Sequence, residues 1–213
     1  MRPALLLFNP RAIPQAMRAF DALRIPQIRL VAMTEQRISE RWDEVLHAAR
    51  DFSHLIAISD DAIVTPHALR SVLTGLSDDR VVSGWSNLDE SMTQVNLSDS
   101  PLTALTPTAD AYDMPTVWDV LEGQPRRRTF FSGMCLTAMS VAMWERYPFK
   151  VYGDEPGFAS DYSLSYRLGQ DEVPIVAHKA AFVRHLKAAW SEADRTEGRE
   201  MLIGEIPEAI IVR

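Results

Sequence analysis

The stretch His54-Leu55-Ile56-Ala57-Ile58-Ser59-Asp60-Asp61-Ala62-Ile63-Val64 decides how this chain is read. It is a short apolar run, rich in isoleucine and leucine, that stops on two adjacent carboxylates. A run of that length bounded by polar residues is the pattern of a strand buried on both faces in a parallel sheet. The acids then stand at its carboxyl end, where the loops leaving an open α/β sheet form the ligand crevice. Side by side, two like charges repel unless a cation or hydrogen-bond donors offset them. Asp-Asp after a strand is also ordinary turn and capping chemistry. Here, however, Thr65 and Pro66 already supply an N-cap and a first helical residue for the next segment.

Working outward, Pro3 to Phe8 reads as a first strand and Asn9-Pro10-Arg11 as the loop leaving it. Ala16, Met17, Phe20 and Leu23 recur at helical spacing between Pro14 and Leu23. Ile28 to Met33 is a second strand, and Ser39 to Arg50 a helix with Trp42, Val45, Leu46 and Ala49 on one face, capped by Ser39. Strand and helix alternating through short links is the pattern of right-handed crossovers that build a parallel sheet. The expected fold class is therefore α/β, with a mostly parallel central sheet flanked by helices.

Beyond the acids, Pro66 to Leu76 is expected to be helical and Val81 to Trp85 a strand. From 87 to 128 the periodicity fades among prolines, serines and acids, which points to a long irregular excursion; Gln94 to Leu97 could form a short edge strand within it. Thr129-Phe130-Phe131-Ser132-Gly133 leads towards an expected helix containing Ala138, Val141, Ala142 and Trp144. A loop over Phe149 to Phe158, a helix from Ser160 to Leu168 ended by Gly169, and strands at Val173 to Ala177 and Ala181 to His185 follow. A polar helix is expected from Ala188 to Glu200. The whole is read as one domain over 1–213, with parts 3–86, 87–128, 129–187 and 188–213.

Composition narrows the function class. A net charge of −7 disfavours a general nucleic-acid or membrane-surface binder, both of which use basic faces, and suits a cation site. The single cysteine, Cys135, leaves no intramolecular disulfide framework and reads as a small buried hydrophobe. No apolar segment approaches the ~20 residues that span a bilayer. The chain reads as cytoplasmic.

Three pieces fall in a meaningful order: Ser59-Asp60-Asp61 after the apolar strand, Phe131-Ser132-Gly133, and Phe158-Ala159-Ser160-Asp161-Tyr162-Ser163-Leu164-Ser165-Tyr166-Arg167-Leu168 followed by an apolar strand and His185. In that order they resemble a family 2-like glycosyltransferase of the GT-A fold, over most of residues 3 to 187, in a minimal form without accessory domains. The resemblance implies that Ser59, Asp60 and Asp61 occupy the D-x-D motif, with Ser59 in the place of the first acid. Asp60 and Asp61 would then hold manganese or magnesium against the diphosphate of a nucleotide sugar, with UDP favoured. It further implies His185 as a late metal or diphosphate ligand, with His178 its competitor, and Asn9 and Arg11 near the nucleotide base and ribose. Asp161 would activate the acceptor hydroxyl, with Asp154 and Glu155 as alternates; its other reading is a helix-start acid stabilised by the dipole. Arg167 would be structural or meet a phosphate. Trp85 could face a substrate, although packing is the commoner fate of such an aromatic.

Two rival functions remain. A nucleotidyltransferase would use the same strand, acid and metal logic, but Asn9-Pro10-Arg11-Ala12-Ile13 lacks the glycine expected of its phosphate loop. A catalytically silent carbohydrate-binding or assembly protein on the same fold is motivated by Ser59.

Overall fold

The computed structural model describes residues 1–8, 13–30, 35–87, 93–103, 113–150, 160–186 and 209–212. Asn9, Arg11, Asp154, Glu155 and the expected 188–200 helix lie outside them. The strands are β1 (Pro3–Phe8), β2 (Gln27–Leu30), β3 (His54–Ser59), β4 (Ala62–Ile63), β5 (Val81–Trp85), β6 (Arg126–Thr129), β7 (Thr137–Ser140), β8 (Ile175–Phe182), β9 (Arg184–His185) and β10 (Ala209–Val212). The helices are α1 (Pro14–Asp21), α2 (Glu35–Glu40), α3 (Trp42–Ala49), α4 (Pro66–Leu73), α5 (Val117–Glu122), α6 (Val141–Arg146) and α7 (Ser160–Gln170).

Eight strands form one sheet in the order β10-β2-β1-β3-β7-β5-β8-β6, and β4 and β9 pair separately as a small ribbon. β1, β2, β3 and β10 run parallel to one another, as do β5 and β8. Only β7 and β6 run against their neighbours. Alternation along the strands sends residues to two separate cores. Ala4, Leu6, Ile28, Leu55, Ala57 and Met139 meet Trp42, Val45, Trp144, Leu164 and Leu168 of α3, α6 and α7 on one face. Leu5, Leu7, Ile56, Ile58, Val82 and Ala138 meet Ala16 and Phe20 of α1 and Ala68, Leu69 and Val72 of α4 on the other. The sheet is thus a filling between two helical layers, which explains why β1 and β3 read as unbroken apolar runs.

Several expectations are corrected. The apolar segment after Gly133 is not helical throughout: Thr137–Ser140 forms β7, all four residues buried, and the helix begins only at Val141. A short apolar run carries no periodicity that separates a core strand from a buried helix. The expected Ser39–Arg50 helix is two, broken at Arg41, and Ser39 does not cap it; the residue before α3 is Arg41, without a side-chain cap. The opening stretch is likewise broken, into β3 and β4, by a turn at Asp60 and Asp61. Gly169 lies inside α7 rather than ending it. The two late strands are one long strand, β8, followed by the short β9. Residues 87–128 hold more order than their composition suggests, since α5 starts on a capping box between Thr116 and Asp119, and β6 closes the sheet's edge. Gln94 and Val95 form isolated bridges only.

Candidate functional site

The site is built at the carboxyl end of β3. Thr65 Oγ1 accepts the Ala68 N–H at 3.1 Å and Pro66 opens α4, so the capping role is filled and Asp60 and Asp61 are left to the turn. Both acids are buried, at 1% and 2% exposure. A buried carboxylate needs compensating partners. Asp61 has them on both oxygens: the Ser59 hydroxyl donates to Oδ1, and His185 Nε2 lies 3.0 Å from Oδ2.

The ribbon of β4 and β9 makes that second contact possible. Ala62 pairs with His185 and Ile63 with Arg184, and the Leu186 N–H donates to the Asp61 carbonyl at 2.7 Å. An acid before one strand and a histidine in its partner are thereby clasped across two residues of backbone. His178, the competing histidine, sits on β8 with its ring against Gly75, beyond the far end of α4. Burial, followed by the nearby Arg126 charge, lowers its pKa.

The second wall is the turn that precedes β7. The Ser59 N–H donates to the Met134 carbonyl at 2.9 Å, tying the end of β3 to this turn. Asn96, buried in the otherwise irregular excursion, accepts the Ser86 N–H through Oδ1 at 2.6 Å and reaches Cys135 Sγ with Nδ2 at 3.1 Å. Gly133 lets it in, since a Cβ there would stand 2.5 Å from Asn96 Nδ2. The Cys135 thiol is pushed up to about 11: burial raises it most, hydrogen bonds with Asn96 and Ser86 oppose the rise, and the charges of Asp61 and Asp161 add to it.

Asp161 lies in the first turn of α7, partly exposed, with Oδ1 accepting the Tyr162 N–H at 2.8 Å. Arg167 donates to the carbonyls of Ser163 at 3.3 Å and Pro148 at 2.5 Å. Trp85 is a packing residue, with Nε1 donating to the Lys179 carbonyl at 2.9 Å and its ring tilted against Phe182.

Asp61 and His185 offer oxygen and nitrogen donors on one edge, which fits a divalent ion that takes most of its remaining ligands from substrate phosphates and water. Their 3.0 Å separation is also that of two adjacent ligands on an octahedral ion with bonds of about 2.1 Å. Asp60 is next in sequence, yet among the described residues no three His, Cys, Asp or Glu side chains form a metal-holding cluster. Of the expected trio, Asp61 and His185 are in contact, and Asp60 stands beside Asp61 in the chain, buried like it.

Among solved structures, A197 from STIV superposes with a TM-score of 0.51 at 13% identity, covering 83% of this chain and 81% of that one. GalNAc-T7, solved with UDP, GalNAc and Mn2+, superposes with a TM-score of 0.50 at 10% identity, covering 87% of this chain and 44% of that one. The fold is GT-A, Rossmann-like. The inositol-1-phosphate CTP transferase from T. maritima superposes more loosely, with a TM-score of 0.43 at 9% identity, over 94% of this chain and 97% of that one. No protein-family model matches the chain, and no curated protein does. Among the described residues, no helix is long and apolar enough to cross a membrane.

Sequence reasoning missed Asn96, Ser86 and Ser165 as parts of the site's frame. Asn96 sits in an aperiodic stretch, and nothing local announces that its amide fills the space above a glycine 37 positions away. Gly133 itself was the available signal, because a glycine at the entry to a strand marks a close approach of another group.

Proposed function

We propose that this protein is a metal-dependent, family 2-like glycosyltransferase that moves a sugar from a nucleotide diphosphate sugar, with UDP favoured, to a hydroxyl acceptor. The observation that carries the reading is the Asp61–His185 clasp at the carboxyl end of β3, its carboxylate buried and backed by Ser59. The GT-A fold supports it, as does the GalNAc-T7 likeness, whose bound UDP and Mn2+ make those the first ligands to try.

Asp61 and His185 would hold the manganese or magnesium ion. Such an ion, when bound, neutralises charge developing on the leaving diphosphate. Ser59 keeps the Asp61 carboxylate turned towards His185, so the position of the departed first acid is used for orientation. Asp161 accepts the proton of the acceptor hydroxyl as its oxygen bonds to the sugar carbon and the bond from that carbon to the diphosphate breaks. Its place at the start of α7 suits this, because the helix dipole favours the ionised form needed beforehand.

The test is calorimetric titration with UDP-glucose and UDP-N-acetylgalactosamine, with and without Mn2+, on the unsubstituted protein and on Asp61→Ala. Manganese-dependent binding that is lost in Asp61→Ala is the expected result. Binding that ignores both the metal and the substitution would overturn the site. Metal-dependent binding with no turnover, even of water, would mark a silent binder on the same fold.

A further inference from the structure

Asp161 and Ser165 are one helical turn apart on α7, so their side chains share a face of the helix. Ser165 is 1% exposed, and its hydroxyl accepts the Ser132 N–H at 3.1 Å. Ser132 is in turn fixed from below. Its Oγ lies 2.8 Å from Ser83 Oγ on β5 and 2.7 Å from Thr137 Oγ1 on β7, while Thr137 Oγ1 donates to the Gly133 carbonyl at 2.9 Å. Ser83, Ser132 and Thr137 are all buried too. Four buried hydroxyls therefore join α7 to the turn whose other end carries Met134 and Cys135, and Met134 accepts the N–H of Ser59 beside Asp61.

We infer that Ser165 is a positioning residue, whose hydrogen bond to the Ser132 backbone sets the distance between Asp161 and the Asp61–His185 pair. The inference rests on the glycosyltransferase reading and adds a residue to it. Two features of α7 favour this specific role over general packing. Two other polar ties of the helix run to the segment before it: Ser163 Oγ donates to the Lys150 carbonyl at 3.0 Å, and Arg167 to the Pro148 carbonyl. The Ser165 tie runs instead to the turn shared with β3. Its bond is also to a backbone group, which neither rotates away nor finds water in that buried place. Displacing a reacting group by about 1 Å is enough to lower a rate by up to roughly 100-fold, so losing this tether should be visible in turnover without a change in donor affinity.

The experiment uses hydrolysis of UDP-N-acetylgalactosamine with Mn2+, where water is the acceptor and no further substrate is needed. Ser165→Ala is expected to lower kcat by about ten-fold while leaving the calorimetric donor Kd unchanged, and Ser165→Thr, which keeps the hydroxyl, to restore most of the rate. Ser163→Ala, on the same helix, should leave both quantities alone. The decisive arm is the double variant Asp161→Asn with Ser165→Ala. If Ser165 acts through Asp161, the double variant loses no more than Asp161→Asn alone. Multiplied losses, an unchanged rate in Ser165→Ala, or an equal effect of Ser163→Ala would overturn the inference while leaving the functional reading in place. Failure of the unsubstituted protein to bind the donor with metal would overturn that reading and this inference with it.

Discussion

His185 Nε2 stands 3.0 Å from Asp61 Oδ2, held there by a backbone ribbon only two residues long in each strand. Because β4 and β9 are so short, the clasp depends on the side chains as well as on the strands. His185→Ala is expected to weaken manganese-dependent donor binding by about ten-fold or more, and Asp61→Ala to remove it. Calorimetry with and without Mn2+ reads both. Equal donor affinity in His185→Ala and the unsubstituted protein would remove the histidine from the site.

Ser59 gives a sharper test, because its hydroxyl already contacts Asp61. Ser59→Asp places a second carboxylate against a buried one, which is repulsive until a cation arrives. The variant should melt lower than the unsubstituted protein without metal, and millimolar Mn2+ should raise its melting temperature by more. Thermal shift with a manganese series measures this. A metal response no larger than that of the unsubstituted protein would count against Asp61 as a ligand.

Burial raises the Cys135 thiol to about 11, against 9.0 for an ordinary thiol. Between those values the unfolded chain has released the proton and the folded one has not, so the unfolded state binds fewer protons and stability falls as pH rises. The contribution is complete below about pH 9 and declines towards pH 11, by an amount on the order of 2–3 kcal/mol. Urea unfolding at pH 8 and pH 10.5 should show a smaller loss for Cys135→Ala than for the unsubstituted protein. Identical pH slopes in the two would refute the buried thiol's part in alkaline destabilisation.

Two glycines should respond in opposite directions. A Cβ on Gly84 would meet the Ala181 carbonyl oxygen at 2.7 Å, backbone that cannot swing away, and Leu136 at 3.0 Å. Gly84→Ala is therefore expected to destabilise by about 1–3 kcal/mol. Gly169, within α7, has nothing within 4 Å of such a Cβ, and Gly169→Ala should stabilise by about 0.5–1 kcal/mol through the unfolded chain's lost freedom. Thermal denaturation of the pair, expected to move a few degrees each way, checks the sheet's packing independently of any ligand.

What the sequence revealed and what it hid follow from how local each signal is. β1, β3 and β5 were legible because burial on both faces leaves an apolar run that needs no partner to be recognised. The Thr65-Pro66 start of α4 was legible for the same reason, since a cap and a first-turn proline are adjacent in the chain. β7 was hidden, because its strand character comes from pairing with β3 and β5 on either side, and Ala138 and Met139 suit a helix equally well. Asp61 and His185 could be named one by one, yet their contact depends on a ribbon whose strands lie about 120 positions apart.

The four residues of β7 have a further consequence. Strands β10, β2, β1 and β3 reach β5, β8 and β6 only across Thr137–Ser140, and its successive side chains belong to different cores, Ala138 to one and Met139 to the other. The segment is therefore a keystone of the sheet: opening there separates the strands into two groups, which the β4–β9 ribbon and the shared cores still join. Its backbone amides should be among the slowest in the protein to exchange with deuterated solvent, opening only with global unfolding, while those of the two-residue ribbon that holds His185 exchange through far smaller fluctuations.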